Sequence, residues 1–227
     1  MKKRFITAPD GVRLAIYDGG NPEGREILFI HGFSQCAQNF KDLFESPELA
    51  ERFRLTAFDI RGHGSSAKPV DPERYREDSI FAGDIKAVIE ALELKRPVLV
   101  AWSYAGRLVS DYVSAFGTSD IAGINYVCAR TKNDPEFNGP GTRHFAAMIS
   151  HDPKAAQRAT KEFVKDCFAG EQPFARIATL FIYNMMVPAA IRGYHLNRPP
   201  SDGAILPTLK VPVLVTQGTE DSLVLPG

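Results

Sequence analysis

Ser103 lies where an apolar run is followed by a helical pattern, within residues 98–106. This junction limits the possible folds of the chain more than any other stretch. The run Val-Leu-Val-Ala predicts a strand buried in a sheet, and the residues after Ser103 predict a helix. At a sharp strand-to-helix turn, a serine hydroxyl stands clear of the sheet beside N–H groups that favour negative charge. The usual pattern there is G-x-S-x-G, and Ala101 and Ala105 replace both glycines. Ser103 is therefore a candidate nucleophile with an imperfect motif.

Short apolar runs alternate with helical patterns through most of the chain. Strands are predicted at residues 4–7, 12–17, 27–30, 55–58, 98–101, 121–127 and 211–216, and helical patterns at 39–53, 78–94 and 107–116. This alternation predicts an α/β fold, with a mostly parallel, doubly wound sheet that helices cover on both faces. In such sheets, ligands bind past the carboxyl ends of the strands. Residues 31–33, 59–64 and Ser103 each follow a predicted strand, so three loops are expected to converge on one edge.

Residues 131–205 interrupt the alternation with several proline-punctuated helical segments. We therefore divide the chain into a first part of the core at 1–130, a helical cap insertion at 131–205, and a resumed core at 206–227. Most apolar cap residues are expected to form the cap's own core and its seam with the main domain. The candidate pocket residues are Met185 in the cap and His31 and Trp102 beside the loops.

The charge balance and the cysteines limit the classes of partner. With 27 basic and 27 acidic residues, nothing favours a nucleic acid or an anionic membrane. No apolar run reaches the roughly 18 residues that span a membrane, and no secretory pattern follows Met1. Three widely spaced cysteines predict neither a disulfide framework nor a metal site. We expect a cytoplasmic protein that binds a small molecule without cofactor or metal; monomer and homo-oligomer both stay open.

Four motifs together resemble the α/β-hydrolase fold superfamily, in its esterase, haloperoxidase-like and epoxide-hydrolase-like branch. They are H-G-F-S-Q at 31–35, D-I-R-G-H-G-S-S at 59–66, A-W-S-Y-A-G at 101–106 and V-P-V-L-V-T-Q-G-T-E-D at 211–221. The resemblance covers essentially the whole chain. It implies that Ser103 is the nucleophile and that Asp221 orients a histidine. It also implies an oxyanion hole formed by the N–H groups of Phe33 and Tyr104. Epoxide hydrolases and haloalkane dehalogenases of this branch carry an aspartate at the turn, so the serine argues against them.

Several assignments have alternatives. Ser103 and Asp221 are also ordinary residues for tight turns, and Asp134, nearer the end of the preceding strand, is an alternative acid. Cys36 is a poor candidate nucleophile because it lies beyond the first loop and not at a strand-to-helix turn. The glycine-rich residues 59–66 lack both common phosphate-binding spacings, so we expect a hydrogen-bonded turn there.

The histidine that the resemblance places after the acid has no counterpart in these 227 residues. His31 and His63 belong to the first two loops, and the other three histidines lie in the insertion, outside the order serine, acid, histidine. We favour a piece of a longer protein that lacks the last helix and strand; a natural truncation with altered activity is the alternative. In the first case, the late strand is expected at an exposed edge of the sheet, which invites association.

The expected function is a serine hydrolase of small ester, lactone or similar acyl substrates, a carboxylic ester hydrolase without its histidine. A perhydrolase or a cofactor-free haloperoxidase acting through the same serine is a close variant. A non-catalytic ligand-binding protein is the alternative from another class. The 227-residue chain itself is expected to be very weakly active, because loss of a triad member costs roughly 10⁴–10⁶ in rate.

Overall fold

Seven strands form one sheet in the computed structural model, which describes residues 1–132, 135–199 and 203–226. In chain order they are β1 Lys2–Thr7, β2 Arg13–Gly20, β3 Arg25–Ile30, β4 Phe53–Phe58, β5 Val98–Trp102, β6 Gly123–Val127 and β7 Val213–Thr216. Their order across the sheet is β1-β2-β4-β3-β5-β6-β7. The pairs β1–β2 and β2–β4 are antiparallel, and every other neighbouring pair is parallel. The predicted, mostly parallel α/β sheet is therefore confirmed.

Helices cover both faces of the sheet. The α-helices of the described residues are α1 Lys41–Glu45, α2 Pro47–Ala50, α3 Asp78–Ala91, α4 Ala105–Phe116, α5 Phe145–Met148, α6 Pro153–Asp166, α7 Phe174–Met185 and α8 Ala189–Leu196. Successive strand residues point to opposite faces. In β3, Leu28 and Ile30 belong to the large cluster that includes α3 and α4, whereas Phe29 packs with Phe40 and Phe44 on the other face. The sheet is thus buried on both sides, as its continuous apolar strands predict.

The helical pattern predicted at 39–53 is divided into shorter pieces. A 3₁₀ turn, Ala37–Phe40, precedes α1, and α2 begins at Pro47. Ser46 is extended, with φ −69° and ψ 118°, because a residue before proline is disfavoured in the helical region. Phe53, the last residue of the predicted helical pattern, instead begins β4.

The described residues between β6 and β7 form α5–α8 and short 3₁₀ turns, and they lie within the predicted cap. Phe163 of α6 and Met148 of α5 pack against Phe33 from the loop after β3, so this segment covers the carboxyl end of the sheet. The boundaries of the cap stay predictions. Among the described residues, no single helix has the length and hydropathy to cross a membrane. Helices α7 and α8 reach that length and hydropathy only when they are taken as a pair, and this pair is bent by 79°.

The late strand β7 lies at the end of the sheet, with β6 as its only neighbour among the described strands. Val213, Leu214 and Val215 are 43%, 60% and 67% exposed. Among the described strands, β7 is therefore an exposed edge. Three consecutive exposed apolar residues on an open edge are a site for pairing with another strand.

A buried arginine joins the loop after β4 to helix α3 and to the β1–β2 turn. The side chain of Arg61 is 1% exposed. Its guanidinium donates to both carboxylate oxygens of Asp84, at 2.7 and 2.6 Å, and to those of Asp10, at 2.7 and 3.2 Å. Bidentate pairs of this kind fix geometry as well as charge. The loop that carries Arg61 is therefore held rigidly beside the carboxyl end of β4.

Replacing Asp84 by alanine is expected to lower the free energy of unfolding by about 3–5 kcal/mol, because it removes one partner of a buried ion pair. Urea denaturation measures this loss. Glu45→Ala is the matched control: it breaks the pair of Glu45 with Lys41, whose side chains are 61% and 59% exposed, and should cost less than about 1 kcal/mol. Equal, small losses in both variants would contradict the structural role of Arg61.

Candidate active site

Ser103 lies in the turn between β5 and α4 with a φ of +55°. This left-handed conformation costs a non-glycine residue about 1–2 kcal/mol. Two backbone hydrogen bonds hold it: the Ser103 N–H donates to the Val127 carbonyl, and the Ser103 carbonyl accepts from the Arg130 N–H, both at 2.9 Å. The turn is thus anchored to β6 and to the segment that follows it.

Small residues surround this turn for a steric reason. A β-carbon on Gly32 would lie 3.0 Å from the Ser103 Cβ, and one on Gly106 would lie 2.8 Å from the Arg130 carbonyl oxygen. Ala101 and Ala105 are fully buried, so their methyl groups fit where the usual motif has glycine. The departure from G-x-S-x-G is therefore compatible with the turn.

Ser103 lines a cavity of about 450 Å³, together with four other residues predicted for the site: Phe33, Trp102, Tyr104 and Asp221. The end of β5 and the loops after β3, β5 and β7 supply these residues, and Phe145 and Phe163, from the segment between β6 and β7, also line the cavity. The structure thus brings the candidate nucleophile, acid and oxyanion residues to one cavity.

The backbone N–H groups of Phe33 and Tyr104 have no hydrogen-bond acceptor in the described part of the chain. Adjacent N–H groups are bonded: that of Ser103 donates to Val127, and that of Ser34 donates to His63 Nε2 at 3.1 Å. Two unbonded N–H groups from residues that line the same cavity as Ser103 are candidate donors to an oxyanion.

The carboxylate of Asp221 is fixed by the turn after β7. Its Oδ1 accepts from the N–H groups of Leu223 and Val224, at 2.8 and 3.0 Å, and its Oδ2 accepts from Gln217 Nε2 at 3.1 Å. A carboxylate oxygen can accept two hydrogen bonds, so Oδ2 keeps capacity for one more donor. The alternative acid, Asp134, lies outside the described residues.

No histidine lines the cavity in the described residues. His63 and His195 are buried instead, and each has an N–H directed at the Arg61 carbonyl oxygen, from His63 Nδ1 at 3.0 Å and His195 Nε2 at 3.2 Å. Burial lowers the pKa of both imidazoles, to about 3 for His195, so both rings are neutral near pH 7. His144 bonds to Asp166 at 3.0 Å, and His151 is exposed.

Two residues predicted for the pocket lie outside its lining. The ring of His31 is fully buried beneath the site: its Nε2 accepts from the Ile60 N–H at 3.0 Å, and its Nδ1 donates to the Gly32 carbonyl at 2.9 Å. His31 therefore organises the two loops and does not face a ligand. The sulfur of Met185 lies 3.8 Å from the buried Arg192 of α8, so this side chain contacts a neighbouring helix and not the cavity.

Sequence reasoning missed several lining residues. Cys128 and Arg130 follow β6, and the rule that found the other loops at strand ends also applies to them. Thr142, Phe145 and Asp166 come from the segment between β6 and β7, and no local pattern marks which side of its helices faces the core. No group of side chains that could hold a metal ion is found in the described ranges.

Comparison with known proteins agrees with this geometry. The model of the alpha/beta hydrolase family matches residues 27–226. The chain belongs to the alpha/beta hydrolase family. Its sheet flanked by helices, with a strand-to-helix turn at Ser103, is the α/β-hydrolase fold.

Two solved structures resemble the chain over nearly its whole length. A Burkholderia cenocepacia protein assigned as an aryl esterase is 30% identical, with a TM-score of 0.94, and the match covers 99% of this chain and 82% of that one. The esterase RhEst1 from Rhodococcus sp. ECU1013 is 31% identical, with a TM-score of 0.88 and coverage of 99% and 83%.

A curated relative matches a shorter stretch. EphD of Mycobacterium tuberculosis, named as an oxidoreductase, is 36% identical over 138 residues. This stretch makes up 55% of the present chain and 23% of EphD, so the chain spans about a quarter of that relative's length.

The left-handed backbone at Ser103 predicts an unusual order of stabilities. Ser103→Gly should be more stable than Ser103→Ala by about 1 kcal/mol in urea denaturation, because glycine adopts a positive φ without strain. Ser110, in the middle of α4, is the control, since there glycine should be less stable than alanine by about 1 kcal/mol. The same order at both positions would contradict the strained turn.

The buried, neutral His195 predicts acid sensitivity. Its ring titrates near pH 6.5 when unfolded and near 3 when folded, so stability falls as the pH drops through this window. Between pH 7 and pH 5, His195 alone should remove about 2 kcal/mol from the free energy of unfolding. His195→Gln should lose about 2 kcal/mol less than wild type over that range, whereas His151→Gln at an exposed position should follow wild type. Identical pH dependence in all three proteins would show that His195 is not held neutral.

Proposed function

We propose that this protein is a serine hydrolase of small esters, lactones or similar acyl compounds. The observation that carries the proposal is the strained turn at Ser103, which lines a cavity with the unbonded N–H groups of Phe33 and Tyr104. The esterase assignments of the two similar solved structures support it.

In the proposed reaction, the Ser103 hydroxyl oxygen attacks the carbonyl carbon of the ester as its proton passes to a base. The tetrahedral intermediate carries a negative oxygen, which the N–H groups of Phe33 and Tyr104 stabilise; one such donor is worth roughly 3–4 kcal/mol. The intermediate expels the alcohol, which takes up the proton, and leaves an acyl-serine. Water then attacks the acyl-serine by the same route and releases the acid.

The base of this reaction is an imidazole that Asp221 orients. The proposal rests on the fixed carboxylate of Asp221 in the cavity wall and on the free acceptor capacity of its Oδ2. The described residues bring no histidine to this cavity. Without a base, a serine hydroxyl is a poor nucleophile, so the 227-residue chain alone is expected to turn over slowly.

The lining of the cavity favours apolar and aromatic substrates. Phe33, Phe145 and Phe163 form a cluster with ring centroids 5.3, 5.7 and 6.5 Å apart, and interplanar angles between 51° and 83°. Edge-to-face contacts of this kind extend readily to another aromatic ring. A cavity of about 450 Å³ limits the substrate to a small molecule.

A non-catalytic binding protein is the second candidate function. The observation that favours it is that no histidine of the described residues lines the cavity. A perhydrolase would use the same acyl-serine, with peroxide in place of water.

Imidazole rescue separates the enzyme from the binding protein. The 227-residue chain is assayed with 4-nitrophenyl acetate, and the rate of the Ser103→Ala variant is subtracted as the background from imidazole itself. Added imidazole should raise the Ser103-dependent rate by about 10²-fold, because a positioned base contributes that much or more. The rescue should saturate with imidazole concentration.

Two carboxylate variants are matched controls for the rescue. Asp221→Asn should lose most of it, whereas Glu220→Gln, which changes a neighbouring carboxylate of the cavity, should retain it. If imidazole raises the rate of Ser103→Ala as much as that of the unchanged chain, Ser103 is not the nucleophile. Fast hydrolysis by the 227-residue chain without imidazole, abolished by Ser103→Ala, would show that the chain already supplies a base. Binding of aromatic esters without any rescue would favour the binding protein.

A further inference from the structure

The side chain of Tyr104, next to the proposed nucleophile, is held by residues of the predicted cap. Its hydroxyl lies 3.1 Å from Arg198 Nη1 and 3.2 Å from His195 Nδ1. His195 Nε2 donates to the Arg61 carbonyl at 3.2 Å, which places the ring proton on Nε2 and leaves Nδ1 as an acceptor. The Tyr104 hydroxyl therefore accepts from Arg198 and donates to His195, so both of its hydrogen-bonding functions are used.

Arg198 is a rigid anchor for this hydroxyl. Its side chain is fully buried, and its Nη2 donates to Asp111 Oδ2 at 2.7 Å and to Asp78 Oδ1 at 2.5 Å. Its guanidinium carbon lies 3.9 Å from the ring centroid of Phe81. Asp78 and Phe81 belong to α3, and Asp111 belongs to α4, so Arg198 ties the chain after α8 to two core helices.

One carbonyl group joins this arrangement to the other oxyanion candidate. The Arg61 carbonyl oxygen accepts from His195 Nε2 and also from His63 Nδ1, at 3.0 Å. His63 Nε2 in turn accepts from the N–H of Ser34, the neighbour of Phe33. A continuous hydrogen-bonded path thus runs from the Tyr104 side chain to the loop that carries the Phe33 N–H.

We propose that His195 and Arg198 are positioning residues that act through the Tyr104 hydroxyl. They hold the Tyr104 peptide N–H so that it and the Phe33 N–H donate to the same oxyanion. The proposal rests on the proposed function. An oxyanion forms only on the way to the tetrahedral intermediate, so donors that are displaced by a few tenths of an ångström weaken the transition state. Binding of the uncharged ester depends on the apolar cavity. Loss of this path therefore lowers kcat and leaves KM nearly unchanged.

The test compares two tyrosine variants of the natural protein, with 4-nitrophenyl acetate as substrate. Tyr104→Phe removes only the hydroxyl, and kcat should fall about tenfold, the effect of losing one hydrogen bond, while KM stays within about twofold. Tyr112→Phe is the matched control. It removes a buried hydroxyl of α4 that has no partner among the described residues, and kcat and KM should both be unchanged.

A second pair of variants tests whether hydrogen bonding or packing matters at position 195. His195→Gln keeps a donor and an acceptor and should retain most of kcat, whereas His195→Leu keeps only bulk and should lose about tenfold. Rates are normalised to folded protein by circular dichroism, so that partial unfolding does not imitate a loss of kcat.

The outcomes separate the two proposals. If Ser103→Ala is inactive and Tyr104→Phe matches Tyr112→Phe, the hydrolase stands and the positioning role is overturned. Equal loss in His195→Gln and His195→Leu also overturns it. If Ser103→Ala keeps full activity, the proposed function fails, and the positioning role fails with it.

Discussion

The left-handed backbone at Ser103 is the constraint on which the site depends. A positive φ at this residue reverses the chain sharply between β5 and α4. The reversal demands a glycine at position 106, where a β-carbon would lie 2.8 Å from the Arg130 carbonyl oxygen, and favours one at position 32, where it would lie 3.0 Å from the Ser103 Cβ. The strain is offset by hydrogen bonds to β6 and to the segment after it. Strain of this kind is typical of functional sites and persists only when the surrounding structure fixes it.

Buried polar side chains supply that fixation. Arg61 and Arg198 each bond two carboxylates, and His63 and His195 meet at the carbonyl of Arg61. Such networks are costly when one member is unpaired, and rigid when all are satisfied. The loops after β3, β4 and β5 therefore form one polar layer beneath an apolar cavity. This layer lets loop residues hold a fixed geometry for the proposed chemistry.

The sequence predicts the sheet and the convergence of the loops because both follow from local periodicity. Apolar strands such as residues 27–30 and the residues directly after them need no knowledge of distant contacts. The cavity wall is different. Phe145 and Asp166 line it, whereas Met185 contacts Arg192 of α8, and only tertiary packing decides which side of a helix between β6 and β7 meets the core. His31 directly follows a strand, the position from which residues often face a ligand. Its ring instead forms hydrogen bonds that join two loops beneath the site.

We propose that Ser103 is a nucleophile held beside two oxyanion donors. A fluorophosphonate probe tests this role, because the oxygen of an activated serine displaces the fluoride of the probe and the phosphonyl oxygen of the adduct then lies against those donors. The natural protein is incubated with the probe, and the adduct is located by peptide mass spectrometry. We predict one adduct, on Ser103, that is absent from Ser103→Ala. An unlabelled protein, or an adduct on another residue that persists in Ser103→Ala, would contradict the account.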